Sequence, residues 1–278
     1  MALVARGRSL PASKGCVTAR SAFTFGENWL NFSRLLDEQR VQEAMTGLMA
    51  LLAVPDLREL TFVDVGAGSG LFSIAAVRLG AVRVLALDRD ANCLKAIQDN
   101  ARRFLSPTDA SRLECRLADI LEPTSVPLER FDVVYAWGSL HHTGAMWDAI
   151  RNTAPLCGPR GRFVLALYNE TRFSPYWLSA KRFYHGAPAP MRGLLVAMLA
   201  GPRILVRALK GRRVARTGRA MSVWYDAVDW LGGLPYEWAA PSQVGQCLER
   251  LGFRLERSLL TKRHGCNEFV FVRQTPTA

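Results

Sequence analysis

The chain has 278 residues, long enough to bury a full-sized core as one large domain carrying an insertion, and its 49% hydrophobic and 22% charged residues are those of an ordinary soluble globular protein. Six cysteines are scattered without a C-x-x-C pair, which argues against a zinc site or a disulfide scaffold and makes the reducing cytoplasm the default compartment. The net charge of +12 is local, because Thr171 to Tyr225 holds eleven basic residues and no Asp or Glu.

Taken in chain order, residues 1–22 read as a disordered tail, with Arg6, Arg8, Lys14 and Arg20, no acid, and a composition that also fits a transit peptide. Residues 23–57 form a helical cover, with apolar periodicity predicting one helix from about Asn31 to Leu52. Residues 58–170 alternate strands and helices. Strands are predicted at Leu60 to Val65, Val82 to Leu87, Arg112 to Leu117, Phe131 to Ala136 and, after a turn at Pro159 and Gly161, Arg162 to Tyr168. Helices are predicted from Ser69 to Leu79, ended by Gly80, from Ala91 to Phe104 and from Ala145 to Leu156. This alternation implies parallel pairing with right-handed crossovers, hence a doubly wound sheet.

Residues 171–232 read as a basic helical insertion, in which Met191 to Leu209 suggests an amphipathic helix pair broken near Gly201-Pro202. The longest apolar run there, Gly193 to Pro202, is too short to span a bilayer. Residues 233–278 supply a helix capped by Ser242 and ended by Gly252, then strands Phe253 to Leu260 and Glu268 to Arg273, joined as an antiparallel hairpin.

The first strand runs into Val65-Gly66-Ala67-Gly68-Ser69-Gly70. Glycines at this spacing permit a tight turn and a close approach of backbone to ligand. A dinucleotide G-x-G-x-x-G would need glycine at Leu71, and a phosphate loop would need Gly-Lys-Ser/Thr; neither is present. Asp88 ends the second strand about 20 residues on, where a carboxylate accepts from both ribose hydroxyls. Asp119 ends the third, placed to accept from an adenine amino group, while Asp64 precedes the glycines and either anchors the turn or receives a ligand's ammonium. Each acid alone is an ordinary cap or turn residue; three at successive strand tips point to a ligand.

Asp64-x-Gly66-x-Gly68-x-Gly70, Asp88, Ala118-Asp119 and Phe131-Asp132-Val133-Val134 resemble the successive motifs of class I S-adenosylmethionine (SAM)-dependent methyltransferases. Leu140-His141-His142 is similar to the segment that follows the fourth strand in methyltransferases of ubiquinone and menaquinone biosynthesis. Phe23 to Trp29, Asp229 to Gly233 and Gly265 to Phe269 look like a bacterial subgroup of them. The resemblance implies a Rossmann-like seven-stranded α/β sheet of order 3-2-1-4-5-7-6, with strand 7 antiparallel. It also implies SAM as cofactor, held by Asp64, Gly66, Ala67, Gly68, Gly70, Asp88 with Arg89, Asp119 with Ile120, and Trp137. Phe25 and Trp29 would fold over the cofactor, where an aromatic face attracts a sulfonium.

Methyl transfer needs alignment and exclusion of water, and no enzyme nucleophile or metal. His141 and His142 follow the fourth strand at the acceptor rim, either as a general base or as turn and cap residues. Tyr168 and Asn169 end the fifth strand at the same rim, and Trp224-Tyr225-Asp226 and Pro235-Tyr236-Glu237-Trp238 either wall the acceptor or staple the insertion to the sheet. The insertion itself reads as a lid binding an anionic acceptor, a surface resting on an anionic membrane, a grip on nucleic acid phosphates, or a solvated face. A small-molecule acceptor is expected. The rivals are a nucleic-acid methyltransferase, for which no RNA-binding or base-flipping motif is present, a cyclisation of SAM to azetidine-2-carboxylate releasing methylthioadenosine, and a non-catalytic binding protein.

Overall fold

The computed structural model describes residues 25–210, 223–262 and 264–274. The chain opens with α1 (Phe25–Ser33) and α2 (Glu38–Leu52), then alternates β1 (Thr61–Val65), α3 (Leu71–Arg78), β2 (Arg83–Asp88), α4 (Ala91–Phe104), the single turn α5 (Pro107–Ala110), β3 (Leu113–Leu117), β4 (Phe131–Trp137), α6 (Met146–Thr153) and β5 (Cys157–Tyr168). Helices α7 (Ser174–Gly186), α8 (Ala189–Lys210) and α9 (Val223–Gly232) follow, and α10 (Pro241–Arg250), β6 (Phe253–Leu259) and β7 (Cys266–Arg273) complete the fold. One seven-stranded sheet has the order β3-β2-β1-β4-β5-β7-β6, parallel except for β7, which runs antiparallel to β5 and β6.

The central strands read as apolar runs because helices cover both sheet faces. Alternate residues go to opposite sides. Phe62, Val84, Val133, Val164 and Val270 meet Leu48 and Leu52 of α2 and Ala76 and Val77 of α3. Their neighbours Val63, Leu85, Val134, Leu165 and Phe271 meet Met146 and Ile150 of α6 and Val244 and Leu248 of α10. A third, separate cluster of Tyr184, Val196, Ala200, Ala227 and Leu231 holds α7, α8 and α9 together.

Several boundaries differ from the sequence reading, each for a local reason. The helix expected over Asn31 to Leu52 is two, because the Asp37 side chain accepts the Arg40 N–H at 2.9 Å and starts a new helix. Strand β5 begins at Cys157 and absorbs the Pro159–Gly161 turn as a bulge, with Phe131 opposite Cys157 and Val133 opposite Arg162. Helix α10 starts at Pro241 and not at a Ser242 cap; proline at the first helical position has no N–H to satisfy, and the Gln243 side chain accepts the Ala240 N–H at 2.9 Å. Helix α8 runs unbroken through Pro202. Pro202 and Met198 both lie on the solvent side, where water can serve the carbonyl that the proline leaves without a donor. Within it, Ala189–Val206 is long and apolar enough to cross a membrane by length and composition, contrary to the reading of a run too short to span. The segments 1–24 and 211–222, with the predicted tail and Arg212, Arg213, Arg216 and Arg219, lie outside the described residues.

Candidate active site

The glycine turn sits where β1 meets α3, at the carboxyl edge of the sheet. Gly66, Gly68 and Gly70 have φ of 75°, 58° and 76°, the left-handed region that side chains resist. Space forbids a side chain as well: a Cβ on Gly66 would lie 2.4 Å from Cβ of Ser139, and one on Gly68 would lie 3.0 Å from the Trp29 ring. The Ser139 hydroxyl donates to the Val65 carbonyl at 2.7 Å, tying the turn to the loop after β4.

Asp88 closes the turn from β2. Its Oδ2 accepts the Gly68 N–H at 2.9 Å and its Oδ1 accepts the Asp90 N–H at 3.0 Å, and the Cys93 side chain hydrogen-bonds to the same carboxylate. Burial raises its pKa. Asp64 accepts the Ser73 hydroxyl at 2.7 Å; burial first, and the Asp88 charge beside it, push its pKa up to about 7, against the lowering effect of Ser73. Asp119 organises its own turn by accepting the Leu121 N–H at 2.9 Å.

These groups share one cavity of about 480 Å³, a size suited to a small ligand. It is lined by the predicted Trp29, Asp64, Gly66, Ala67, Asp88, Arg89, Asp119, Ile120, Trp137, His141, His142 and Tyr168. Gly68 and Gly70 shape the turn without lining the cavity, and Gly70 packs on Ile97. The structure does not bring Asn169 there: its side-chain amide donates to the Thr261 carbonyl at 2.8 Å and accepts from Asn267 at 3.0 Å, fixing the terminal hairpin. The side chains of Phe25 and Tyr225 lie outside the described residues.

At the other end of the cavity, His141 is buried, its ring centroid 4.0 Å from that of Tyr168 and 4.4 Å from that of His142. His142 is half-buried, with Nδ1 2.7 Å from the Pro235 carbonyl oxygen. A carbonyl only accepts, so Nδ1 carries the proton of this hydrogen bond. Glu237 is fully buried; its carboxylate accepts the Met146 N–H at the start of α6 (3.1 and 3.2 Å), and its own N–H donates to the His141 carbonyl at 3.1 Å.

Some contributors escaped the sequence reading. Asp90 caps α4 and accepts the Gly26 N–H at 3.1 Å, anchoring the N-terminal helix beside the turn; its position just before a helix is the signal that could have found it. Lys181, counted among the basic residues of the insertion, is fully buried instead. It donates to the Trp230 carbonyl and lies 4.8–5.7 Å from the ring centroids of Tyr236, Trp230 and Tyr168. Among the described residues, no arginine of the insertion lines the cavity.

This strand order, with a glycine turn after β1 and acids at the tips of β2 and β3, is the one that the resemblance to class I SAM-dependent methyltransferases implied. Residues 63–163 match the family model described as a methyltransferase domain. Among solved structures, the fold is similar to magnesium protoporphyrin IX methyltransferase from Synechocystis PCC 6803 with bound SAM (17% identity, 90% of this chain and 92% of that one, TM-score 0.53). It is also similar to an O-methyltransferase family protein from Burkholderia thailandensis (11% identity, 91% and 59%, TM-score 0.55). Among curated proteins, the ribosomal protein L11 methyltransferases of Tolumonas auensis and Alteromonas mediterranea are 50% and 41% identical over 48 and 81 residues, or 17% and 29% of this chain. The matched part amounts to only 16% and 25% of the length of those relatives.

Proposed function

We propose that the protein transfers a methyl group from SAM to an oxygen or nitrogen of a small-molecule acceptor. The observation that carries this reading is the single cavity that joins the glycine turn and its three acids to the His141, His142 and Tyr168 cluster. Asp88 accepts the ribose hydroxyls, Asp119 with Ile120 receives the adenine, and Asp64 faces the amino-acid end, with Trp29 covering the turn. Bound SAM supplies a methyl group already activated on a sulfonium.

The acceptor then lies against His142 and Tyr168. His142 takes the acceptor's proton on Nε2 while the Pro235 carbonyl holds its Nδ1–H, a role worth roughly 10²–10⁴-fold in rate. Tyr168 and the rings around it exclude water and orient the acceptor. A protein side chain as acceptor is the second reading, favoured by the names of the curated relatives.

The test is incubation with SAM and panels of phenols, amines and ribosomal proteins, with the nucleoside product read by mass spectrometry. S-adenosylhomocysteine formed only with an acceptor supports methyl transfer, and the panel that yields it fixes the acceptor class. Methylthioadenosine as the product, or no product from any panel, overturns it.

A further inference from the structure

The outer faces of α7 and α8 carry an apolar surface that the site does not use. Met191, Leu194, Met198 and Leu205 recur at helical spacing along one side of α8, and Leu194 and Met198 are 55% and 67% exposed. On α7, Tyr176 and Phe183 are one heptad apart and 72% and 61% exposed. The inner faces of the same helices are committed elsewhere: Tyr184, Val196 and Ala200 pack with α9, and Trp177 and Leu178 pack beside Tyr168. Arg172, Arg182, Arg192 and Arg203 are exposed around the apolar side chains, and the whole stretch from Thr171 to Tyr225 has no acid.

We infer that this face docks on an anionic lipid bilayer, with α7 and α8 lying in the interface. Apolar side chains enter the boundary between headgroups and acyl chains while the arginines engage lipid phosphates and carboxylates, the pairing that amphipathic basic helices provide. Charge argues for this occupant over a second copy of the chain, since a two-fold contact would set one acid-free basic face against another. It argues equally for a nucleic acid, but phosphates alone leave the exposed leucines and methionines without a partner. Although α8 is long enough to span, spanning would pull Val196 and Ala200 out of their cluster with α7 and α9. The helix therefore lies on the membrane and does not cross it. Because the inner side of α7 packs beside Tyr168, docking sets the acceptor end of the cavity next to the lipid-bound helices.

The full-length chain is tested by flotation with vesicles of phosphatidylcholine alone and of phosphatidylcholine with phosphatidylglycerol, at low and high salt. The account expects binding to the anionic vesicles, weakened by salt. It expects a loss of about tenfold or more in a Leu194→Gln/Met198→Gln/Leu205→Gln variant and in an Arg192→Glu/Arg203→Glu variant. All substituted side chains are exposed, and a circular dichroism melt certifies that each variant is folded without reference to cofactor or activity, so failure of the methyl-transfer reading leaves this test intact. The inference is overturned if the chain ignores anionic vesicles, if the glutamine variant floats as well as the parent, if the apolar face is consumed by a dimer that the glutamine variant dissolves, or if RNA competes the chain off the vesicles and binds the glutamine variant unchanged.

Discussion

Asp64 and Asp88 share one buried corner, and burial works against the charge of both. With its folded-state pKa raised from 3.8 to about 7, Asp64 favours the folded state fully below about pH 4, and that contribution is lost as pH rises through about 7. Asp64→Asn should therefore gain stability over the parent as the pH of a thermal melt rises from acid to neutral; a difference that does not vary with pH would contradict the raised pKa. If the carboxylate receives the ligand's ammonium, the parent should bind S-adenosylhomocysteine about tenfold more tightly at pH 8 than at pH 6, and the variant should not. Asp88→Ala should cost about 1–3 kcal/mol of cofactor affinity, as for other hydrogen bonds to a charged group, and unchanged calorimetric affinity would remove its ribose role. His142→Ala should lower turnover by about 10²–10⁴ with cofactor affinity retained, and full activity would remove the base assignment. The acids were legible because they sit at the carboxyl ends of successive strands, and the two histidines because they follow β4. Lys181 was not. Nothing local separates a lysine buried among aromatic rings from the ten other basic residues around it.

The turn between β1 and α3 and the interior of α10 give glycine opposite meanings. Gly66→Ala combines a φ of 75° with a Cβ 2.4 Å from that of Ser139, and should destabilise by roughly 1–3 kcal/mol while weakening cofactor binding. Gly245 lies inside α10 with nothing within 4 Å of an added Cβ, so Gly245→Ala should stabilise by about 0.5–1 kcal/mol. Paired denaturant melts read both; the same sign in the two variants would contradict the account. At this scale the sheet was readable because each buried strand is a short apolar run bounded by glycine or an acid. What failed were signals that tertiary packing outvoted: Pro202 interrupts the sequence pattern of α8 without interrupting the helix, and the Pro159–Gly161 turn became a bulge inside β5.

Across the whole molecule, the sheet presents its carboxyl edge to one cavity and surrounds it with pieces from distant parts of the chain. Gly26 of α1 is fastened to Asp90, Trp29 faces Gly68, Pro235 holds His142, and Glu237 bridges α6 to the histidine turn. Such long-range contacts have no sequence period, and Pro235-Tyr236-Glu237-Trp238 accordingly read only as an aromatic wall or as a staple of the insertion to the sheet. Their shared consequence is a site that a SAM-sized ligand should rigidify from both ends. The account stands most directly on calorimetric titration of the folded chain with S-adenosylhomocysteine. It predicts saturable one-to-one binding that Asp88→Ala weakens; a parent chain that shows no heat and no thermal shift with either S-adenosylhomocysteine or SAM would contradict it.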